Sequence, residues 1–398
     1  MSKALKERLM RVAVATGLLA IFVSGYIQYG IPYLQEKNLE KTDTTRITGL
    51  IQLNQNIKEI LNTNPGTTLG LANTVYISIP SADNCSDLDL PSLPTNWNYH
   101  CVSSAELQET NGNGWLPINF DTASSSSYIL PIDPVNTAAD GNYFSFITAT
   151  SASGTPEYVL VSNLETKKDI SSLSETDSSD PTHYELGNDL SLWNQAQSIK
   201  AYWPFTDNGN IAYDYSGAGN NLILPKNIVY TDAGCVLQKC ILNTSNFPIV
   251  INFNTPYQIS AHSVVSYGFW FKIPSVPATN QQIFNPGTNR LDVNIEGESG
   301  ALFIWFTNTT TEEQVYKSID SGYIGNGWHQ IFVVKSLNSV SVYIDGQAVE
   351  EITTTSNTQL DLPQGIITLL PGEAMNRLVI YGRALSPNEV QDSFEVQK

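Results

Sequence analysis

Asp292, Asn294 and Glu296 stand at alternate positions of one short run, and their chemistry is the first to weigh. At strand spacing they share a face, and glycoside hydrolysis uses two carboxyl groups at a defined separation across the scissile bond. Here the middle position is an amide and Glu298 lies past Gly297 in a turn, so the run reads as a solvated strand edge and no catalytic residue is assigned. The four histidines, His100, His183, His262 and His329, are scattered, and none stands in an H-E-x-x-H or comparable arrangement. His329 follows Trp328 at the start of a strand and reads as structural. Asp214 and Asn220 flank a glycine-rich loop whose oxygens could ligate Ca²⁺, an ion that takes roughly six to eight oxygen ligands. The plainer alternative is an aspartate that caps a turn through the backbone.

Trp203, Trp270, Trp305 and Trp328 offer rings on which a sugar could stack, but they sit within strand patterns, and at least three of the four are expected to be buried. Four cysteines form two local pairs, Cys85 with Cys101 and Cys235 with Cys240, neither with zinc-ligand spacing to a histidine. In an exported protein these are disulfides between sequence neighbours; the alternative is four reduced thiols. A formal net charge of −18 argues against a nucleic-acid partner, which would need clustered Lys and Arg. At 398 residues the chain is long enough for two or three domains with real cores.

The elements that must position these residues come in two sets. In the C-terminal half, Ser266 to Phe271, Leu291 to Ile295, Ala301 to Phe306 and Ser339 to Ile344 alternate as strands with one buried side do. Asp345-Gly346 predicts a tight hairpin, because this pair tolerates the positive φ of a primed turn. In order come Ala201-Tyr202-Trp203-Pro204-Phe205, Asp214-Tyr215-Ser216-Gly217, Trp328-His329-Gln330-Ile331, Val342-Tyr343-Ile344-Asp345-Gly346 and Val379-Ile380-Tyr381-Gly382-Arg383-Ala384-Leu385-Ser386. With these motifs the segment 199–398 resembles a laminin G-like, concanavalin A-like jelly roll. The resemblance implies an extracellular, non-catalytic recognition module that binds glycans or proteins and in some members holds Ca²⁺. Such members often complete the calcium loop with acids near the final strand, where this chain has Met375-Asn376-Arg377.

At the other end, Lys3, Lys6, Arg8 and Arg11 precede an uncharged apolar stretch over about residues 12–33. Roughly 20 such residues in a helix cross a bilayer, with the basic cluster on the cytoplasmic side. A cleaved signal peptide ending near Val23-Ser24-Gly25 is the alternative. Beyond the span, Ile47, Leu50, Ile51, Ile57, Ile60 and Leu61 fall near one helical face, with Arg46, Gln52, Gln55 and Lys58 on others; Pro32 kinks the helix and 62–66 ends it. Strand-like runs follow at 74–80, 114–120, 143–148 and 157–164, giving a small α+β head.

This half is similar to type IV pilin-like proteins of bacteria in the helix, the Gly30-Ile31-Pro32-Tyr33 step, Thr45-Arg46-Ile47 to Gln52-Leu53, Gly114-Trp115-Leu116-Pro117-Ile118-Asn119-Phe120, Leu130-Pro131-Ile132-Asp133-Pro134-Val135-Asn136 and Tyr158-Val159-Leu160. It departs from the pilin pattern at the processing site: with Pro32 aligned to the helix proline, Met10 and Arg11 stand at the cut and Ala15 replaces the usual glutamate. The expected organisation is multidomain. Residues 1–62 hold a cytoplasmic tip, the membrane-spanning helix and a stalk helix, and 63–192 the pilin-like α+β head with a solvated loop over 167–181. Residues 193–198 form a linker and 199–398 the all-β jelly-roll sandwich. The expected function is adhesion or recognition at a bacterial cell surface, anchored in the membrane and directed at a glycan or protein on another surface. The alternatives are a structural subunit packing against other pilin-like subunits in an extracellular filament and, least favoured, a glycoside hydrolase. No motif names the ligand-binding residues, because jelly-roll specificity lies in loop geometry.

Overall fold

The structure, a computed structural model, describes residues 31–88, 90–91, 93–94, 96–121, 129–138, 141–150, 154–166, 183–236, 239–253, 264–286, 291–307, 314–319, 322–325, 327–336, 339–353 and 365–395. Most of the expected membrane span, the alternative cleavage site, the 167–181 loop and His262 lie outside these. Among the described residues no helix is long and apolar enough to cross a membrane.

Helix α1 is described over Ile31–Thr63 and stops at Thr63. Leu50, Leu53, Ile57 and Ile60 recur at helical spacing and are buried against a five-stranded sheet. That sheet contains β1 (Thr74–Ile77), β2 (Asn98–His100), β3 (Phe144–Thr150), β4 (Pro156–Asn163) and β5 (His183–Gly187) in the order β2-β1-β3-β4-β5, with β1 and β2 parallel and the other pairs antiparallel. Phe146, Tyr158, Leu160 and Leu186 face α1, and Tyr158 donates its hydroxyl to Asn54 Oδ1 at 2.6 Å. Val75, Ile77, Ile147, Val159 and Val161 face the other way and are covered by α2 (Ser191–Ala196) and the Cys85–Cys101 region.

Two expectations for this half are corrected. Ile51 is 37 % exposed, whereas Arg46, expected on a polar face, is fully buried. Its guanidinium meets Asp133 through Nε (2.7 Å) and Nη2 (3.2 Å), and Asp43 (2.8 Å) and Glu165 (2.6 Å) through Nη1. The run 114–120 is no strand: only Asn119 makes a bridge, to Asn111, while Trp115, Leu116, Ile118 and Phe120 fill the core as an apolar wedge. Pro117 has no N–H for a ladder, and a Cβ at Gly114 would lie 2.1 Å from the Glu109 carbonyl oxygen. In the segment 193–198, α2 buries Leu192, Trp193 and Ala196 in the head core, and Asn194 Nδ2 donates to the Tyr215 carbonyl at 2.6 Å.

The chain passes directly into β6 (Ile199–Trp203) and a two-sheet sandwich. The first sheet also holds β9 (Ile228–Thr231), β10 (Cys240–Asn243), β12 (Val265–Lys272), β17 (His329–Lys335), β18 (Ser339–Ile344), β19 (Gln347–Thr353) and β21 (Ala374–Tyr381). Its order is β19-β18-β17-β12-β21-β10-β9, with β6 beside the second half of β21. The second sheet runs β11 (Ile249–Phe253), β20 (Gly365–Leu369), β13 (Gln281–Asn285), β14 (Asp292–Ile295), β15 (Leu302–Thr307), β16 (Gln314–Ile319). A short hairpin of β7 (Ile211–Ala212) and β8 (Leu222–Ile223) stands apart.

Trp203, Phe205, Tyr267, Phe269, Phe271, Phe284, Ile304 and Met375 fill the space between the sheets. Asp345 and Gly346, at φ 51° and 75°, make the expected primed turn between β18 and β19. The first sheet is buried on both sides rather than one. Helix α3 (Pro387–Glu395) covers its outer face, where Val390 packs with Tyr202, Phe332, Tyr343 and Val379, and Phe394 stacks on Trp270 at 5.5 Å. The outer face of the second sheet is lined instead by polar and aromatic side chains.

Candidate ligand-binding face

Strand parity builds this face. Leu291, Val293 and Ile295 point into the core, so Asp292 and Asn294 point outward; Leu302 and Ile304 point in, so Phe303 and Trp305 share the outer side. Cross-strand register then sets two rows. Asp292 lies opposite Trp305, which lies opposite Tyr316; Gln282 lies opposite Asn294, then Phe303, then Ser318.

The rows are tied together. Gln282 Nε2 donates to Asp292 Oδ2 at 2.7 Å, and Asn294 Nδ2 to the Asp292 carbonyl at 3.3 Å. The Phe303 and Tyr316 rings lie 4.7 Å apart. Partial burial, then the nearby Glu296 charge, raises the Tyr316 hydroxyl above its ordinary pKa, which keeps it a donor. Asp292 is 2 % exposed and forms the floor, Gln282 and Trp305 are half-buried, and Tyr316 is 50 % exposed at the rim. Phe303 and Asn294 are buried with Asp292, while Trp305 and Tyr316 reach solvent; a carboxylate and two amides can donate to and accept from hydroxyls while these two rings take an apolar face.

The three polar residues of the run divide here. Asp292 and Asn294 are brought together, but Glu296 lies beyond the end of β14 and accepts the Ser299 hydroxyl at 2.6 Å. Four residues of strand separate Asp292 and Glu296 by about 13 Å, beyond the roughly 5–5.5 Å or 6.5–9.5 Å of paired glycosidase carboxylates. Glu298 sits in an exposed turn at φ 68°. Sequence reasoning missed Gln282, Phe303 and Tyr316 and did not single out Trp305 among the four tryptophans. Parity counted from the apolar positions of β14 and β15 would have put Trp305 beside Asp292.

Asp214 caps its own loop through the backbone, the plainer of the two alternatives for it. Asp214 Oδ1 accepts the N–H groups of Tyr202 (3.0 Å) and Ser216 (2.9 Å), and Oδ2 that of Asn220 (2.9 Å). Three N–H dipoles aimed at the carboxylate clasp the loop as an anion would and repel a cation. The Asn220 carbonyl is taken up by Trp203 Nε1 at 2.9 Å. Among the described residues no three His, Cys, Asp or Glu side chains group as metal ligands.

The described histidines stay apart. His100 meets Tyr76 edge-on at 5.0 Å, and burial lowers its pKa. His183 packs on Trp193, also at 5.0 Å. His329 Nδ1 pairs with Asp345 at 2.8 Å, while the other oxygen of that carboxylate accepts the Gln330 N–H at 2.9 Å, so the pair fixes the β18–β19 turn. Trp203 and Trp270 are buried, but Trp305 and Trp328 are half-buried, fewer buried than expected. Both cysteine pairs are disulfides, Cys85–Cys101 and Cys235–Cys240.

Residues 251–391 match Laminin_G_3, described as the concanavalin A-like lectin/glucanases superfamily, so the C-terminal half carries a jelly-roll domain of that kind. No curated protein matches the chain. Among solved structures, the chain is similar to the binding domain of Paraclostridial Mosquitocidal Protein 1 (17 % identity, TM-score 0.42, covering 50 % of this chain and 52 % of that one). It is also similar to the receptor binding domain of botulinum neurotoxin D (16 %, TM-score 0.43, 50 % and 53 %). A third is the botulinum neurotoxin serotype D ligand binding domain in complex with N-acetylneuraminic acid (14 %, TM-score 0.42, 50 % and 51 %). The chain spans about half the length of these structures.

Proposed function

We propose that this protein is a non-enzymatic surface receptor in which a pilin-like membrane anchor and head present a lectin-like jelly roll, and that the outer face of the second sheet recognises glycans. The observation that carries the reading is the pair of cross-strand rows, which sets Asp292, Asn294 and Gln282 among Phe303, Trp305 and Tyr316. Sugar hydroxyls need donors and acceptors together, and the C–H face of a pyranose needs an aromatic partner. Match to a superfamily described by lectins and glucanases supports a saccharide as the class of ligand. Two disulfides support an oxidising compartment. The basic residues before the apolar stretch of 12–33 support anchorage with the rest outside.

The test is a glycan array probed with the detergent-solubilised full chain. Binding to a defined set of glycans, lost in Trp305→Ala and in Asp292→Asn while both variants keep the parent melting temperature, is the expected result. Equal binding by the parent and both variants, or no bound glycan at all, would remove the face from the account. Topology is tested by protease on intact cells: everything beyond about residue 36 should be digested, and protection of the jelly roll would overturn export.

A second reading, a filament subunit, is favoured by one observation. At the described start of α1, Tyr33 and Leu34 are 59 % and 50 % exposed, apolar surface that another copy could cover. Negative-stain microscopy of purified surface material decides it: filaments support the structural subunit, and dispersed particles support the single anchored receptor.

A further inference from the structure

A cleft of about 570 Å³ lies between the head and the first sheet, with walls from both. Trp193, His183 and Asn163 contribute from the head; Tyr381, Arg377 and Glu389 contribute from the end of β21 and from α3. The volume is within the roughly 300–1,000 Å³ of small-molecule sites, which occur preferentially between domains. The walls are set rather than loose. Arg383, buried beside the cleft, donates through Nε to the Gln197 carbonyl (3.1 Å) and through Nη2 to Gln197 Oε1 (3.0 Å), and its Nη1 stands 2.7 Å from Glu389 Oε1. Arg377 is held over the Tyr202 ring at 5.4 Å, with Nε donating to the Tyr202 hydroxyl at 3.0 Å. The two walls also feel each other across the gap: burial, then the Glu389 charge, pushes the phenol of Tyr143 on the head side up to about 12.

One wall residue has an unmet requirement. Trp193 is nearly fully buried, and its indole N–H has no hydrogen-bond partner among the described residues. A buried donor left without an acceptor is unfavourable, and a native structure calls for an explanation of it. A ligand oxygen bound in the cleft supplies one.

We propose that this cleft is a second binding site, distinct from the sheet face, and that it takes a short saccharide of one or two rings. Aromatic side chains on facing walls, a guanidinium donor, a carboxylate acceptor and an amide that does both match a ligand with an apolar ring face and hydroxyls around its rim. Both domains build it, so binding there requires the head as well as the jelly roll.

The experiment uses the full chain carrying Trp305→Ala, which disables the sheet face, so that failure of one site is not read as failure of the other. Glucose, galactose, N-acetylglucosamine and their β1,4-linked disaccharides are titrated by calorimetry. At least one should bind, and His183→Ala and Tyr381→Ala should each weaken it about tenfold, the loss of one ring contact. Tyr381→Phe, which keeps the ring, should bind as the parent does and serves as the folding control. Absence of binding by every sugar, or unchanged affinity in His183→Ala with Tyr381→Phe folded, would overturn the proposal. Binding of peptides but no saccharide would overturn it equally.

Discussion

Two polar clusters in this molecule use similar residue types to opposite ends. In the head, Arg46 is enclosed by Asp43, Asp133 and Glu165, and the acids are themselves saturated. Asp43 accepts the N–H of Thr166 (2.8 Å) and its hydroxyl (2.7 Å), and Asp133 accepts the N–H of Val135 (2.8 Å). The cluster joins α1 to two distant segments, and of its members only Glu165 is partly exposed. On the second sheet, Asp292, Asn294 and Gln282 come from adjacent strands, lie in rows set by register and are framed by rings that reach the surface. Burial of charge alone therefore does not mark a site. What separates them is whether the hydrogen-bonding groups converge on one another from across the fold or line up along a face with aromatic neighbours.

The comparison can be broken by substitution. The largest effect should come from Arg46→Met, which leaves the buried Asp43 and Asp133 and the partly exposed Glu165 without their cation and should destabilise the protein by about 3–5 kcal/mol in denaturant titration. Glycan binding per folded molecule should not change; a loss of binding without loss of stability would make the Arg46 cluster a site. Next are the disulfides. By loop entropy Cys85–Cys101 is worth about 3 kcal/mol and the shorter Cys235–Cys240 loop about 2 kcal/mol. Paired alanine substitutions should rank in that order by midpoint, and the reverse order would show that Cys235–Cys240 does more than close its loop.

A further buried acid, Glu373, sharpens the contrast, with no cation paired to it among the described residues. Glu373 is fully buried at the turn into β21; Oε2 accepts the Leu370 N–H at 2.6 Å, and Oε1 has no hydrogen-bond partner among the described residues. Burial pushes its pKa from 4.5 up to about 8, so the folded protein holds it neutral. The sign follows: its contribution to stability is complete below about pH 4.5 and is lost as pH rises through 8. Glu373→Gln should flatten this dependence and stabilise the protein at pH 8, on the order of 1–3 kcal/mol. A pH–stability curve with unchanged slope in the variant would refute it. The smallest effect should be that of Tyr316→Ala on stability, within about 0.5 kcal/mol because the ring is half exposed, while glycan affinity falls. A large stability loss would make Tyr316 a packing residue.

Much of the architecture was legible where local chemistry decides it. Asp345-Gly346 can turn only a few ways, neighbouring cysteines have short loops to close, and α1 stops where 62–66 offers Asn, Pro and Gly. Legibility failed where a distant partner decides. β12 alternates as a strand with one buried side would, yet it is buried at nearly every position because α3, more than a hundred residues later, covers its second face. In Leu302-Phe303-Ile304-Trp305-Phe306 every residue is apolar, so composition alone cannot tell which parity faces the core. Arg46 looked like a surface residue because its partners, Asp133 and Glu165, lie 87 and 119 positions away. The short β2 was missed because three residues paired in parallel to β1 leave no pattern of their own.

The claim that the second sheet's outer face is the recognition surface is tested most directly by hydrogen–deuterium exchange of the full chain with and without a glycan selected on the array. The account predicts slowed exchange centred on β14, β15 and β16, the strands that carry Asp292, Trp305 and Tyr316. Protection confined to the strands and helix bordering the inter-domain cleft, or spread evenly over the sandwich, would contradict it.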